Sequence, residues 1–467
     1  MDALLRSPVQ SYLALIAAAA VLPAAALELL SGVHGGPTDG TGHLLVMAIV
    51  STVAACASVG LLAAGVRNRE PYAVAVGGAF AAMTLLLALH GLATPGVIFP
   101  PNGVIALAGG TALPVGGALL ALSALPAVRR VADVRRLAWA YAALLALLAA
   151  GGALALAVPG ALPGLPQAGD PLAVALLGVG LLFFLLIAWR AARTFALTRR
   201  AADLCVAVGV VWLGCALVPQ LLITPGGWAF WVGHLLEMAG VALVGIPLML
   251  DVRRGRPSRP ALGDLAAAEL VAHEEAFLGP RVRALVARLE RKDTSTEQHT
   301  RRVAELAVAI GEELGLAPGR LRELAIAGLL HDMGKLAVPD EILGKPGALT
   351  DEEFAVIERH PVWGDELLAE LGLPERTRRP VRGHHERLDG SGYPDGLAGG
   401  DIDLETRILA VADVYDALVS PRVYRAAWDR DRALGLLRDG AGEAFDTACV
   451  AALERVLRLD AATALAA

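Results

Sequence analysis

Apolar and polar positions alternate on two different scales along this chain. From about residue 11 they form long, nearly unbroken apolar stretches separated by short loops. A helix crossing the hydrocarbon of a bilayer needs about 20 predominantly apolar residues. Eight stretches qualify, near 11–30, 43–66, 71–93, 103–125, 137–159, 171–190, 201–223 and 228–250. The first has the Ala-rich text of a signal peptide, but with Arg6 its flank is barely basic, and removing it would upset the regular loop pattern.

That loop pattern orients the bundle. The first, third, fifth and seventh loops, near 31–42, 94–102, 160–170 and 224–227, hold no Lys or Arg. The even loops carry Arg67 and Arg69, then Arg129, Arg130, Arg135 and Arg136, then Arg193, Arg199 and Arg200. Arg253, Arg254, Arg256 and Arg259 follow the last stretch. Basic loops stay on the cytoplasmic side, so both termini are expected there.

Beyond residue 250 the scale shortens. A Pro/Arg-rich exit, DVRRGRPSRP, leads to a helical segment near 262–292 with apolar Leu262, Leu265, Leu270, Phe277, Val282, Leu285 and Leu289, interrupted at Gly279 and Pro280. This segment suits either a transmission and dimerisation element or the first helix of the next domain. After 293 the period is helical: Val303, Leu306, Ile310 and Leu314 form one stripe, and Leu321, Ala325, Leu329 and Leu330 another. Thr350 and Glu353 predict a capping box ahead of Phe354 and Ile357. No alternating strand pattern competes. The expected fold is all-α, a polytopic bundle over 1–250, a linker over 251–292 and a helical domain over 293–467.

Composition agrees with two solvents. Of 467 residues, 56% are hydrophobic and 18% charged, and residues 1–250 hold only 19 of the 86 charged side chains. The net charge of −6 and the absence of a long basic run argue against a nucleic-acid polymer as partner. Cys56, Cys205, Cys215 and Cys449 show no CxxC spacing and are expected to be buried small hydrophobes.

Polar side chains in apolar stretches cost free energy, so their positions are informative. Glu28, His43, His90, His234 and Glu237, with His34 in the first loop, all fall in the outer half of the expected topology, and His234 and Glu237 share a helix face. They suit a sensor site for a metal, haem, quinone or proton, or simple interhelical hydrogen bonding.

The helical domain holds a second set. His299 lies on the apolar face of its helix, and His331-Asp332 ends an apolar run just before Gly334. His360 precedes Pro361, His384-His385 opens HHERLDGSGYP, and Asp413 sits inside the apolar RILAVADVYDAL, where an unpaired carboxylate is expensive. Singly, each reads as a core residue. Together they place five imidazoles and two carboxylates on inward positions, more donors than one tetrahedral zinc needs and suited to two octahedral ions about 3.5–4 Å apart. With no thiolate, iron or manganese is favoured.

Five motifs in order, HT-x-RV at 299–303, HDMGK at 331–335, HPVWG at 360–364, HHERLDGSGYP at 384–394 and ADVYDAL at 412–418, resemble the HD-GYP domain of the HD phosphohydrolase superfamily, over roughly residues 270–460. The resemblance implies hydrolysis of the bacterial messenger cyclic di-GMP. It implies metal ligation by His299, His331, Asp332, His360, His384, His385 and Asp413, with Asp332 bridging. Lys335 would lie beside a phosphate oxygen, Arg422 and Arg425 would clamp phosphates, and Gly392, Tyr393 and Pro394 would shape a recognition loop. Two departures stand out. Ser295 occupies the position where some members carry a glutamate for a third metal, and SPRVYR replaces the commoner SDRPYR around Arg422.

The expected chemistry is in-line attack of water on phosphorus, the added charge being stabilised by the ions and Lys335, to give the linear dinucleotide and, by a second cut, GMP. A non-catalytic receptor of the messenger, or a hydrolase of another cyclic dinucleotide, are the alternatives. Expected partners are cyclic di-GMP, the lipid bilayer of a bacterial inner membrane and a second copy of the chain, with diguanylate cyclases or effector proteins as further candidates.

Overall fold

Over the first part of the chain many large apolar side chains face outward, while Phe80, Phe184, Met83 and Leu113 are buried among alanines. The computed structural model describes residues 8–31, 33, 40–125, 128, 133–158, 162, 167–223, 227–253, 267–292, 296–345, 347–420 and 426–465. They divide into two units, 1–265 and 266–467, and among the described residues there are helices and no β-strand.

The first unit contains α1 (Pro8–Ser31), α2 (Gly40–Asn68), α3 (Pro71–Leu92), α4 (Val104–Ser123), α5 (Val134–Ala157), α6 (Pro171–Thr198), α7 (Ala201–Leu222) and α8 (Trp228–Arg253). All eight are long and apolar enough to cross a membrane. Leu29, Trp139 and Leu147 are more than two-thirds exposed, as suits lipid contact, whereas Ala54, Ala79, Ala188 and Ala216 are buried where helices approach closely. The expected stretches recur as helices with shifted ends. The sixth runs on past 190 to Thr198, so Arg193, expected in a loop, lies on the helix. Long arginine stems let the guanidinium reach polar surroundings without ending the helix. Starts are well specified: Pro71 and Pro171 occupy first-turn positions, and Asp170 caps α6 by accepting Ala173 N–H at 2.6 Å. At the arginine-bearing end, Arg200, just before α7, donates from Nη2 to both carboxylate oxygens of Asp251 on α8 at 2.8 and 2.9 Å. Cys56, expected to be buried, is exposed on α2, Cys205 and Cys215 are half-buried, and Cys449 is buried. A small apolar thiol is as compatible with lipid as with a core, which is why the expectation fails at Cys56.

The second unit contains α9 (Ala267–Phe277), α10 (Pro280–Lys292), α11 (Thr296–Glu313), α12 (Pro318–Leu330), a 3-10 turn at Met333–Ala337, α13 (Asp340–Leu343), α14 (Asp351–Ile357), α15 (His360–Glu370), α16 (Glu375–Gly383), α17 (Leu404–Val419), α18 (Arg430–Asp439) and α19 (Thr447–Leu465). Of the segment the sequence sets apart as a linker, α9 and α10 pack inside this unit: Arg322 pairs with Glu274 at 2.8 Å, and Lys292 reaches the Leu336 carbonyl at 3.1 Å and Asp340 at 2.9 Å. Leu270, Val282 and Leu289 are buried, Phe277 is exposed, and Leu262 and Leu265 lie outside the described residues. The core gathers Val303, Ala304, Ala307 and Ile310 of α11 with Leu324 and Leu330 of α12 and Ile408 and Leu409 of α17. The buried face of α11 is thus rotated from the expected stripe, leaving Leu306 and Leu314 half-buried, because alanines fit the tight crossing with α12 and α17. The capping box forms, Thr350 Oγ1 accepting from Glu353 N at 3.3 Å and Glu353 from Thr350 N at 2.8 Å, yet Phe354 stays exposed.

Leu324 is fully buried and Phe354 is 47% exposed. Leu324→Ala is expected to destabilise by about 2–5 kcal/mol, and Phe354→Ala by less than about 0.5 kcal/mol. Thermal unfolding of the full chain in detergent reads both, and equal shifts would contradict the core described.

Candidate metal centre

Three histidines of the second unit sit at the ends of helices and use one device. His331 follows the last residue of α12 and donates Nδ1–H to the Gly328 carbonyl at 2.8 Å. His360 opens α15 and donates to Ile357 O at 2.7 Å, and His384 follows α16 and donates to Val381 O at 2.7 Å. A carbonyl oxygen can only accept, so each Nδ1 carries the proton and each Nε2 presents a lone pair. Those lone pairs converge. His360 Nε2 and His384 Nε2 are 3.3 Å apart with no proton to share in that tautomer.

Asp332 and Asp413 complete the space. Asp332 turns Oδ1 to His360 Nε2 at 3.4 Å and Oδ2 to His331 Nε2 at 3.5 Å, and Lys335 Nζ pairs with Oδ2 at 2.7 Å. Asp413 Oδ1 lies 3.3 Å from His299 Nε2 and 3.9 Å from His331 Nε2, and its Oδ2 lies 4.0 Å from His385 Nδ1. The 3-10 turn after Asp332 is pressed against α15 so closely that a Cβ at Gly334 would fall 1.8 Å from the His360 carbonyl oxygen. Only glycine lets the HDMGK turn and the HPVWG helix meet.

All seven residues expected as ligands are therefore brought together. Overlapping triads, His299 with His331 and Asp332, His331 with His384 and Asp413, and His360 with His384 and His385, each place one donor atom per residue within 4.8 Å of the others. Adjacent ligands of one ion are ~3 Å apart when each bond is ~2.1 Å, so the spacing and the all-nitrogen-and-oxygen donor set fit divalent first-row cations.

Electrostatics support the neutral rings of His360 and His384. Burial holds His360 and His384 below the usual imidazole range, aided at His384 by neighbouring His385, and burial pushes His385 down to about 3. Burial alone would raise Asp332, but Lys335, His331 and His360 hold its carboxyl well below the usual range. At His299 burial is outweighed by the Asp413 and Asp416 carboxylates, which lift it to about 9.

Asp416 is the residue that the sequence reading missed. It accepts His299 Nδ1–H at 2.7 Å and is held by Arg302 at 2.6 and 3.0 Å and by Ser420 Oγ at 3.2 Å. A second acid three residues after Asp413 in an apolar helix was a usable signal. Glu386, buried at 2% exposure, was also missed. Its carboxylate accepts Asp395 N–H at 2.7 Å and Leu397 N–H at 3.0 Å, pinning the turn that contains Tyr393 and Pro394. Tyr393 lies against His385, ring centres 4.7 Å apart, and a Cβ at Gly392 would fall 2.4 Å from Glu386 Cα. Arg422, Arg425 and Ser295 lie outside the described residues.

A helical bundle that draws five imidazoles and two carboxylates around one space has the donor set of a metal-binding domain. Residues 283–449, within the second unit, match the family model for the HD domain. The chain is 47% identical over 174 residues to a cyclic di-GMP phosphodiesterase response regulator of Xanthomonas campestris pv. campestris, covering 36% of this chain and 45% of that protein. It is 39% identical over 206 residues to a cyclic di-GMP phosphodiesterase of Pseudomonas aeruginosa, covering 43% and 48%. It is 38% identical over 186 residues to a 3'3'-cGAMP-specific phosphodiesterase of Vibrio cholerae, covering 40% of each. The chain thus spans less than half the length of these curated relatives.

Partners that orient a ligating histidine typically change metal affinity 10–100-fold. Asp416→Asn is expected to weaken metal binding by about that factor, whereas Asp395→Asn, on an exposed loop paired with Arg382, leaves it unchanged. Competition with a chromophoric chelator reads both, and an Asp416→Asn affinity equal to that of the parent would remove the orienting role.

Proposed function

We propose that this chain is a membrane-bound phosphodiesterase that hydrolyses cyclic di-GMP at a centre of two divalent ions, iron or manganese being favoured by the donors. The observation that carries the reading is the pair of facing nitrogens, His360 Nε2 and His384 Nε2, beside a carboxylate already paired with Lys335. Ions bound there would polarise a phosphodiester and acidify water.

The chain's own groups supply the rest. Asp332 offers one oxygen toward His360 and the other toward His331, the disposition of a carboxylate that serves two ions. Lys335, 22% exposed, holds its ammonium at the rim, where it can meet a non-bridging phosphate oxygen and offset the negative charge that grows as water adds. Tyr393, Gly392 and Pro394, fixed by Glu386, form one wall of the approach to His385. Arg422 and Arg425 are proposed to hold the phosphates. The first product is linear pGpG, with GMP after a second cut.

The two relatives named for cyclic di-GMP support that substrate. The relative named for 3'3'-cGAMP favours a second reading, in which another cyclic dinucleotide is cleaved. In the proposed arrangement residues 1–250 anchor and regulate the enzyme in the inner membrane, 251–292 transmits, 293–467 hydrolyses on the cytoplasmic side, and the working form is a homodimer.

The full chain, purified in detergent and loaded anaerobically with Fe(II) or Mn(II), is expected to convert cyclic di-GMP to pGpG faster than 3'3'-cGAMP. Lys335→Ala is expected to lower kcat by about 10²–10³ with metal content unchanged. Asp332→Ala should abolish both metal loading and turnover. Binding without cleavage of any cyclic dinucleotide would overturn the enzyme reading in favour of a receptor.

A further inference from the structure

The first unit buries a second histidine cluster, far more unusual for its surroundings than the first. His43 is the fourth residue of α2, His90 the third from the end of α3 and His234 the seventh of α8, so three helices bring them together at the end opposite Arg67, Arg69 and Arg253. His43 and His90 are each 8% exposed, His234 is 3% and Glu237 is fully buried. One donor atom of each histidine lies within 4.8 Å of the others. Glu28 is exposed on α1, and His34 lies outside the described residues.

The hydrogen bonds settle which nitrogens are bare. His90 Nδ1 lies 2.7 Å from the Ile105 carbonyl, so it carries the proton. Thr94 Oγ1 donates its single proton to Gly91 O at 2.6 Å and therefore accepts from His43 Nδ1 at 2.8 Å. Both Nε2 atoms are left with lone pairs, and they face one another at 3.1 Å. His234 turns Nδ1 toward Glu237 Oε2 at 3.5 Å, and its Nε2 is buried without a hydrogen-bond partner. Glu237 Oε2 accepts from Gln220 Nε2 at 2.9 Å, and Glu237 Oε1 is likewise buried without a partner.

Two lone pairs pointed at each other, and a third imidazole nitrogen with nothing to bond, are unfavourable among apolar side chains unless a cation lies between them. A quinone would add more oxygen lone pairs to the same space. Neighbouring ligands of a tetrahedral zinc are ~3.3 Å apart when each Zn–N bond is ~2.0–2.1 Å, close to the 3.1 Å seen here. A carboxylate behind a ligating histidine is a recurrent feature of such sites, and Glu237 stands behind His234. Its charge also offsets that of a dication in a medium of low dielectric constant. From these contacts we infer that His43, His90 and His234 form a binding site for one divalent first-row transition-metal ion of the Zn(II) type, with Glu237, held by Gln220, as its counter-charge.

This site is independent of the hydrolase centre and does not rest on the proposed function. The test uses the full chain in detergent, stripped by chelator and reloaded with Zn(II), with metal counted by mass spectrometry. The parent chain is expected to hold one more equivalent than His43→Ala/His90→Ala, and Co(II) substitution should give tetrahedral d–d bands that this variant loses. Because that variant could misfold, a second measurement keeps the parent histidines. In Asp332→Ala/His384→Ala, which removes the other cluster, Zn(II) is expected to raise the melting midpoint by several degrees, and adding His234→Gln should cancel that shift. Equal zinc content in parent and His43→Ala/His90→Ala, together with no zinc-dependent shift in Asp332→Ala/His384→Ala, would overturn the site. The two imidazoles would then share a proton.

Discussion

The second unit depends on hydrogen bonds from imidazole Nδ1–H groups to main-chain carbonyls three residues back. At His331, His360 and His384 these bonds consume the one proton that each neutral ring carries, and so turn every Nε2 lone pair into the same enclosed space. Left alone, such an arrangement is repulsive, and burial makes protonation of His360 and His384 costly as well. A bundle that keeps this geometry is organised around positive charge. Lys335 meets part of that need at Asp332, and the inward donor atoms define where the remainder must sit.

Much of the surrounding structure serves this constraint. Gly334 lets the turn after Asp332 touch the start of α15, so His360 and Asp332 can face each other. Arg302 and Ser420 hold Asp416, which holds His299, so α11 is tied to α17 through that histidine. Glu386 does the same for the loop after His385 by accepting two backbone N–H groups that would otherwise lack partners. The first unit uses the same principle in different surroundings, with a threonine hydroxyl and a backbone carbonyl fixing the proton positions of His43 and His90.

Fold class was legible because lipid and water impose different spacings on the same helix. Eight apolar stretches appear as eight helices, and the charged remainder as a helical bundle. Helix ends were less legible: Arg193 looks like a loop on paper but continues α6, since a long side chain can carry its charge away from apolar surroundings without ending the helix. The stripe on α11 was misplaced because leucine outweighs alanine in any apolar count, although Ala304 and Ala307 fit the close crossing and Leu306 and Leu314 do not. The seven clustered side chains were legible from motif order. Their protonation was not, because the acceptors at Gly328, Ile357 and Val381 are backbone atoms and leave no mark in the sequence. Asp416 carried a usable signal, as a second acid three residues after Asp413, whereas Glu386 was missed because a buried acid reveals its partner only once the chain is folded.

X-ray absorption of the metal-loaded full chain carrying His234→Gln, with Asp332 intact, tests the central claim most directly. The account predicts several imidazole ligands per ion and a metal–metal vector of about 3.5–4 Å. A single ion with no neighbour, or a ligand shell without imidazole, would contradict it.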